Sequence, residues 1–123
     1  MAHSKKLQFI LNKLYELNPD KIELKLDRVL RLANDLGDPH KKLKNVITVT
    51  GTNGKGGTAF YLKEILQAHG YAVSLFQSPF LYNFLTRFLI NGKPLDEEKF
   101  IDFVIEVDKA NNNQDITFFE YIT

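Results

Sequence analysis

The sequence of 123 residues contains no cysteine. A disulfide framework, a thiolate zinc site and a cysteine nucleophile are therefore excluded, and the absence fits a reducing cytoplasmic compartment. No apolar run approaches the length of a membrane span, and charges interrupt the apolar positions of the opening segment MAHSKKLQFILNKL. We therefore expect an amphipathic helix there, rather than a signal peptide or a membrane anchor.

Neither sign of charge dominates the chain. Sixteen basic and fifteen acidic residues leave a formal net charge of +1. This balance provides no general attraction for nucleic acid or for an anionic membrane, and we expect neither as a partner. A polyanionic ligand would have to be bound by a local site. The hydrophobic content of 44% is sufficient for the core of one domain.

Hydrophobic residues at helical spacing predict two helices before residue 40. Ser4 is expected to cap the first helix, and Asn18-Pro19-Asp20 to end it, because proline cannot continue the helical hydrogen bonds. Gly37 is expected to stop the second helix. The residues predicted to face the core are Leu7, Ile10, Leu11, Leu14 and Leu17 in the first helix, and Leu26, Val29, Leu30, Ala33 and Leu36 in the second.

The middle of the chain predicts an α/β fold. NVITVT (45–50) is rich in β-branched residues and predicts a buried strand, TAFYLKEILQAHG (58–70) a helix, and YAVSLF (71–76) a second strand. Strand, loop, helix and strand in this order form a βαβ unit, so we expect the two strands to be parallel. QSPFLYNFLTRF (77–88) has no clear period and is expected to be a loop.

The last third of the chain predicts a hairpin and two helices. Asn91-Gly92 between apolar flanks is the strongest hairpin signal of the sequence. Asp96 is expected to cap a helix and Thr117 to open another. The first of these helices should bury Phe100, Phe103, Val104 and Val107. Because the final helix has barely begun at residue 123, we expect the chain to be part of a longer protein.

Four glycines surround Lys55 in the stretch VITVTGTNGKGGTAF (46–60). Glycine allows backbone N–H groups to converge on a phosphate, and a helix N-terminus favours an anion. The general pattern G-x-x-x-x-G-K-[ST] does not match, because Val49 stands at the first glycine position and Gly56 follows the lysine. On the residues alone, a phosphate cradle and a glycine-rich turn with an incidental lysine both remain open.

GTNGKG (51–56) resembles the ATP-binding loop of the Mur ligase superfamily, and in particular its folylpolyglutamate synthase and dihydrofolate synthase branch. Four more stretches are similar to segments of these synthases and follow the same order: LDRVLRLANDLGDP, QSPFL, FLINGKPLDEEKF and ITFFEYIT. The resemblance implies an incomplete P-loop NTPase-like fold, the Mur ligase central domain. Residues 1–123 would be the N-terminal portion of that ATP-binding domain, without the C-terminal ligase domain.

The resemblance also implies an activity, which is the ATP-dependent ligation of L-glutamate to folate or dihydropteroate through an acyl phosphate. The implied cofactors are ATP and Mg²⁺, with Lys55 as the electrostatic anchor of the phosphates. Ser78 and Glu120 match magnesium ligands. The implied ATP-binding residues are Gly51, Thr52, Asn53, Gly54, Lys55, Gly56, Gly57 and Thr58, and the implied pterin contacts are Lys25, Leu26, Asp27 and Arg28.

Several of these residues also have a simpler interpretation. Glu120 completes a capping box with Thr117, Ser78-Pro79 is typical of a turn, and Arg87 and Asp27 are expected to be surface charges. The chain is too short for a complete active site of this family. Either a separate chain supplies the missing C-terminal part, or the protein is a noncatalytic remnant that binds nucleotide or a partner chain. The order of the similar segments argues against an unrelated P-loop NTPase.

Overall fold

The computed structural model describes residues 3–18, 25–80 and 82–123, which form two compact units. The first unit comprises Met1–Lys44 and Ile101–Thr123, and the second comprises Asn45–Phe100. Among the described residues, no helix is long and apolar enough to cross a bilayer. The elements in chain order are α1 (Lys5–Tyr15), α2 (Asp27–Asp35), a 3₁₀ helix (Pro39–Lys42), α3 (Lys55–Ala68), β1 (Leu75–Phe76), a 3₁₀ helix (Phe84–Arg87), β2 (Phe88–Ile90), β3 (Lys93–Pro94), α4 (Glu97–Asn111) and α5 (Phe118–Ile122).

The two predicted N-terminal helices are present in the first unit. The Ser4 hydroxyl accepts a hydrogen bond from the Leu7 backbone N–H at 3.1 Å, which confirms the predicted cap of α1. Gly37 has φ +81° just beyond α2, a conformation that suits glycine at the end of a helix. Pro19 and Asp20 lie outside the described residues. The buried apolar residues of this unit are Leu7, Leu11, Leu14, Leu32, Ile101, Val104, Ile116 and Tyr121.

The predicted inner face of α2 is wrong in part. Leu26 and Leu30 are 66% and 49% exposed, whereas Leu32 is buried. Leu26 precedes the helix as its N-cap and so does not follow its period. Leu32 shares a face with Arg28, four residues earlier, and Arg28 is the residue that binds α5. The face directed at α5 is therefore the buried one.

The predicted parallel βαβ unit is not formed in the described part of the chain. Residues 45–50 belong to no strand, and Val46 and Ile47 are 66% and 60% exposed. Only Leu75–Phe76 of the second predicted strand is a strand, and it pairs antiparallel with β2. β-branched residues suit a pleated surface, but a strand exists only where a neighbour supplies hydrogen bonds. The hairpin supplies such a neighbour to β1, and no described strand supplies one to residues 45–50.

The hairpin and its surroundings form the core of the second unit. β2 and β3 pair antiparallel through Asn91 and Gly92, which have φ +50° and +79°, so the predicted hairpin is confirmed. The predicted loop before it contains a 3₁₀ helix, because the Asn83 side chain accepts hydrogen bonds from the backbone N–H groups of Leu85 and Thr86. The Phe84 ring packs edge-on against those of Phe88 and Phe100.

The predicted caps of the last two helices are present. The Asp96 carboxylate accepts a hydrogen bond from the Glu98 backbone N–H at 2.9 Å, and Thr117 and Glu120 form a complete capping box at α5. The predicted inner face of α4 is correct for Phe100 and Val104 but wrong for Phe103, which is 52% exposed. The buried arc extends to Ile101 on the other side, which turns Phe103 away from the core.

Candidate functional site

The glycine loop combines positive backbone angles with empty space. Gly51 has φ +149°, and Gly54, immediately before α3, has φ +77°. A side chain at Gly54 would be strained, so this glycine is required by the backbone itself. Gly56 and Gly57 lie in the first turn of α3, and a Cβ atom at either position would meet nothing within 4 Å. The protein's own packing does not require glycine at these two positions, so their small size leaves room for a ligand.

The N-terminus of α3 presents backbone donors. The first hydrogen bond of this helix runs from the Thr58 N–H to the Gly54 carbonyl at 2.9 Å. The N–H groups of Lys55, Gly56 and Gly57 precede that bond, and within the described ranges we find no protein acceptor for them. Together with the dipole of a helix of 14 residues, these donors suit an anion. The arrangement supports the predicted phosphate cradle, which stays a prediction.

The Lys55 ammonium group is held by its own loop. Nζ donates to the carbonyl oxygen of Gly51 at 2.6 Å and lies 3.3 Å from that of Thr52. Asn53 and Thr58 are exposed beside it. The ammonium group therefore lies against the backbone of the loop that is predicted to bind the phosphates.

Ser78 follows β1 and is exposed, so its hydroxyl is accessible to a ligand. Gln77, the residue before it, is buried and ties this segment to the 3₁₀ helix: its backbone N–H donates to the Arg87 carbonyl at 3.0 Å, and its side-chain amide to the Thr86 carbonyl at 3.2 Å. The sequence interpretation missed Gln77, whose only signal was its position next to Ser78-Pro79.

Arg87 is buried, contrary to the expected surface charge. Its guanidinium carbon lies 5.7 Å from the ring centre of Phe80 and 5.6 Å from that of Phe84. Aromatic faces attract a guanidinium group, which explains how the side chain is accommodated in the interior.

Glu120 and Arg28 form a bidentate ion pair in the first unit. Arg28 Nε donates to Glu120 Oε2 at 2.9 Å, and Arg28 Nη2 donates to Oε1 at 3.0 Å. The backbone N–H of Thr117 also donates to Oε2, at 2.9 Å. The exposed fractions of the two side chains are only 17% for Arg28 and 13% for Glu120. Burial alone would raise the pKa of Glu120, but the hydrogen bonds from Arg28 and Thr117 outweigh it and hold that pKa below its usual value.

The predicted site residues are distributed over both units. The glycine loop and Ser78 belong to the second unit, and the pterin segment and Glu120 to the first. Lys25, Leu26 and Asp27 are exposed, and Asp27 begins α2 as a surface charge, as expected. Arg28, in the same segment, contacts another predicted site residue, Glu120.

The residues differ in how well they fit the implied ligands. The donors of the loop fit the phosphates of a nucleotide, and the Ser78 hydroxyl is accessible to a cation. Both oxygens of Glu120 already accept hydrogen bonds, so in this arrangement Glu120 does not fit a magnesium ligand. In the described ranges, no cluster of three or more His, Cys, Asp or Glu side chains could hold a metal ion.

The sequence is similar to curated enzymes of folate metabolism, although no family model matches it. It is 38% identical over 113 residues to the dihydrofolate synthase/folylpolyglutamate synthase of Escherichia coli, and the match covers 92% of this chain and 26% of that enzyme. A second enzyme of the same description, from Buchnera aphidicola (subspecies Schizaphis graminum), is 37% identical over 122 residues, covering 98% of this chain and 29% of its own length. The chain thus spans little more than a quarter of these two relatives.

Solved structures show the same likeness. The bifunctional folylpolyglutamate synthase/dihydrofolate synthase of Yersinia pestis, complexed with AMPPNP and a manganese ion, matches with a TM-score of 0.85 and 35% identity, over 94% of this chain and 28% of that one. FolC of E. coli in complex with DHPP and ADP matches with a TM-score of 0.80 and 36% identity, also over 94% of this chain and 28% of that chain. These neighbours confirm the predicted α/β class.

Proposed function

The chain belongs to the folylpolyglutamate synthase and dihydrofolate synthase family of the Mur ligase superfamily, and on that basis we propose that it provides the ATP-binding portion of a folate:glutamate ligase. The observation that carries the proposal is the N-terminus of α3, where the N–H groups of Lys55, Gly56 and Gly57 precede the first helical hydrogen bond and the Lys55 ammonium group donates to the Gly51 carbonyl.

The proposed reaction has two steps. The γ-phosphoryl group of ATP passes to the carboxylate of folate or dihydropteroate, which releases ADP and forms an acyl phosphate. The amine of L-glutamate then attacks the acyl carbon, an amide bond forms and inorganic phosphate leaves. Residues 51–58 would hold the phosphates in line with the carboxylate by backbone hydrogen bonds, and Lys55 would stabilise the charge that develops on the transferred group.

A divalent cation, when bound, neutralises charge on the ATP phosphates. The accessible Ser78 hydroxyl is the proposed ligand from this chain, with the Thr58 hydroxyl beside the loop. We assign the pterin contacts to Lys25, Leu26, Asp27 and Arg28. Polypeptide outside these residues, in the same chain or a separate one, would supply the remainder of the site, and we place the reaction in the cytoplasm.

A chimera tests the function directly. The matching segment of the E. coli synthase, which is 38% identical over 113 residues, would be replaced by this chain, and ligation of glutamate to dihydropteroate would be measured. We expect activity that disappears with Lys55→Ala. A chimera that folds and binds dihydropteroate but never binds nucleotide would refute the proposal. One that binds nucleotide without ligation would favour a noncatalytic remnant, an alternative to which the engaged oxygens of Glu120 give specific support.

A further inference from the structure

We propose that Arg28 is a positioning residue that excludes a divalent cation from Glu120, so that the ion pair and metal binding at this carboxylate are mutually exclusive. The inference rests on the family resemblance behind the proposed function in one respect, because that resemblance matches Glu120 to a magnesium ligand. It adds that Arg28, in the same unit, prevents Glu120 from binding a metal ion.

The first support is geometric. The guanidinium fork uses both oxygens of Glu120, with Nε on Oε2 at 2.9 Å and Nη2 on Oε1 at 3.0 Å. Two parallel N–H donors on one carboxylate define the bidentate arrangement, the strongest form of this contact. A cation that approached the carboxylate would meet the edge that Arg28 already occupies.

The second support is electrostatic. Arginine stays protonated at every physiological pH, and here its charge lies within hydrogen-bonding distance of the atoms that a metal would need. The exposed fractions of 17% and 13% mean that water and salt screen this charge less than at an open surface. The guanidinium group therefore repels a divalent cation at the position where Glu120 would bind it.

The third support is that contacts with Thr117 also orient Glu120, independently of Arg28. The Thr117 backbone N–H donates to Oε2 at 2.9 Å, and the Glu120 N–H reaches back to the Thr117 hydroxyl at 3.4 Å. This capping box holds the carboxylate at the start of α5 through contacts that do not involve Arg28. Removing the guanidinium group should therefore expose an ordered carboxylate rather than a disordered one.

The test is a titration with Mn²⁺ of the wild-type chain and of Arg28→Met, which keeps the length of the side chain and removes its charge. Binding is followed by calorimetry and by the paramagnetic broadening of the Thr117 and Glu120 amide resonances. Because a hydrogen bond between charged groups is lost, we expect Arg28→Met to bind Mn²⁺ about tenfold more tightly or better, with broadening at α5. Adding Glu120→Gln to Arg28→Met should abolish the gain.

Arg31→Met is the matched control. Arg31 lies on the same helix, contacts Asp35 at 3.5 Å and Asn111 at 2.8 Å, and its replacement changes the net charge by the same amount. An equal gain in Arg31→Met would overturn the proposal, because the effect would then be one of net charge. Unchanged Mn²⁺ affinity in Arg28→Met, or a gain that survives Glu120→Gln, would overturn it as well.

Two further measurements keep the outcome decisive. If Arg28→Met fails to fold by circular dichroism, Arg28→Gln replaces it, because glutamine also removes the positive charge; Mn²⁺ broadening at α5 equal to that of wild type would then overturn the proposal. AMPPNP binding is measured on the same samples. If the wild-type chain does not bind AMPPNP but Arg28→Met still gains Mn²⁺ affinity, only the proposed function is contradicted. If the wild-type chain binds AMPPNP but Arg28→Met gains no Mn²⁺ affinity, only this inference is contradicted.

Discussion

Lys55 is bonded to Gly51, four residues before it, by a hydrogen bond of 2.6 Å from its ammonium group to the glycine carbonyl. The glycine loop is thus closed by the residue that is proposed to bind phosphate. A phosphate oxygen carries more negative charge than a carbonyl oxygen and is the stronger acceptor. We infer that an arriving triphosphate draws the ammonium group away from Gly51 over a short distance.

Replacing Lys55 by alanine should therefore affect ligand binding rather than folding. We expect Lys55→Ala to weaken AMPPNP binding by about tenfold or more, because a charged hydrogen bond to phosphate is lost. The free energy of unfolding should change by less than about 0.5 kcal/mol, because the ammonium group contacts only carbonyls of its own loop and not the core. Calorimetry and urea unfolding measure the two effects, with Lys93→Ala, at an exposed position of β3, as control. Equal AMPPNP affinity in Lys55→Ala and wild type would refute the phosphate cradle.

Gly56 allows stability and binding to be separated. Because a Cβ atom there meets nothing within 4 Å and the residue is helical, Gly56→Ala should stabilise the chain by about 0.5 to 1 kcal/mol. The same methyl group would occupy space that we assign to phosphate, so AMPPNP affinity should fall. Urea unfolding and calorimetry on one preparation check both effects. A variant that is stabilised but binds AMPPNP as wild type does would show that the space has no such role.

The Arg28–Glu120 pair should also appear in stability. A double-mutant cycle with Arg28→Met and Glu120→Gln is expected to give a coupling energy of about 1 to 3 kcal/mol near neutral pH, because the pair is largely buried. The pKa of Glu120 is lowered in the folded state, so this stabilisation is present above the pKa of an unfolded glutamate. It should be lost as the pH falls through the lower pKa of the folded state. Coupling that is absent at neutral pH would contradict the geometry.

Tyr121 offers a test of the core of the first unit. Its hydroxyl group lies 2.6 Å from Asp108 Oδ1 and 3.0 Å from the Val104 carbonyl. Burial, and then the hydrogen bond to Asp108, raise its pKa far above the usual value, so the phenol stays protonated as a donor. We expect Tyr121→Phe to lower the free energy of unfolding by about 1 to 2 kcal/mol. Tyr82→Phe, at a position that is 88% exposed, should change it little, and equal effects would argue against the buried bond.

The isolated chain should not complete the reaction. Supplied with ATP, Mg²⁺, tetrahydrofolate and glutamate, we expect these 123 residues to release no ADP above background. Phosphoryl transfer depends on a closed site that excludes water, and the match to the E. coli relative covers only 26% of that enzyme. A coupled assay for ADP checks the prediction, and ADP release that depends on folate would show it to be wrong.

Local chemistry made several elements predictable. The caps at Ser4, Asp96 and Thr117 and the turn at Asn91-Gly92 are encoded within a few neighbouring residues, and all are present in the structure. The glycine loop was recognisable because its motif is contiguous.

Contacts between distant residues were not predictable in the same way. Arg28 and Glu120 are 92 positions apart, and no local pattern pairs them. The resemblance assigned a ligand to each of these residues but did not indicate that they would bind each other. The strand predicted at 45–50 failed for a related reason, since its formation depends on a partner strand elsewhere.

The segment at 46–50, which belongs to no described strand and is largely exposed, has a consequence for handling the protein at high concentration. VITVT carries no charge and no proline, and such segments stack readily between molecules into cross-β assemblies. Lys41, Lys42 and Lys44 precede it and supply a repulsion that salt weakens. Turbidity and thioflavin fluorescence should therefore rise with ionic strength, and dilute buffers of low salt should keep the preparation clear.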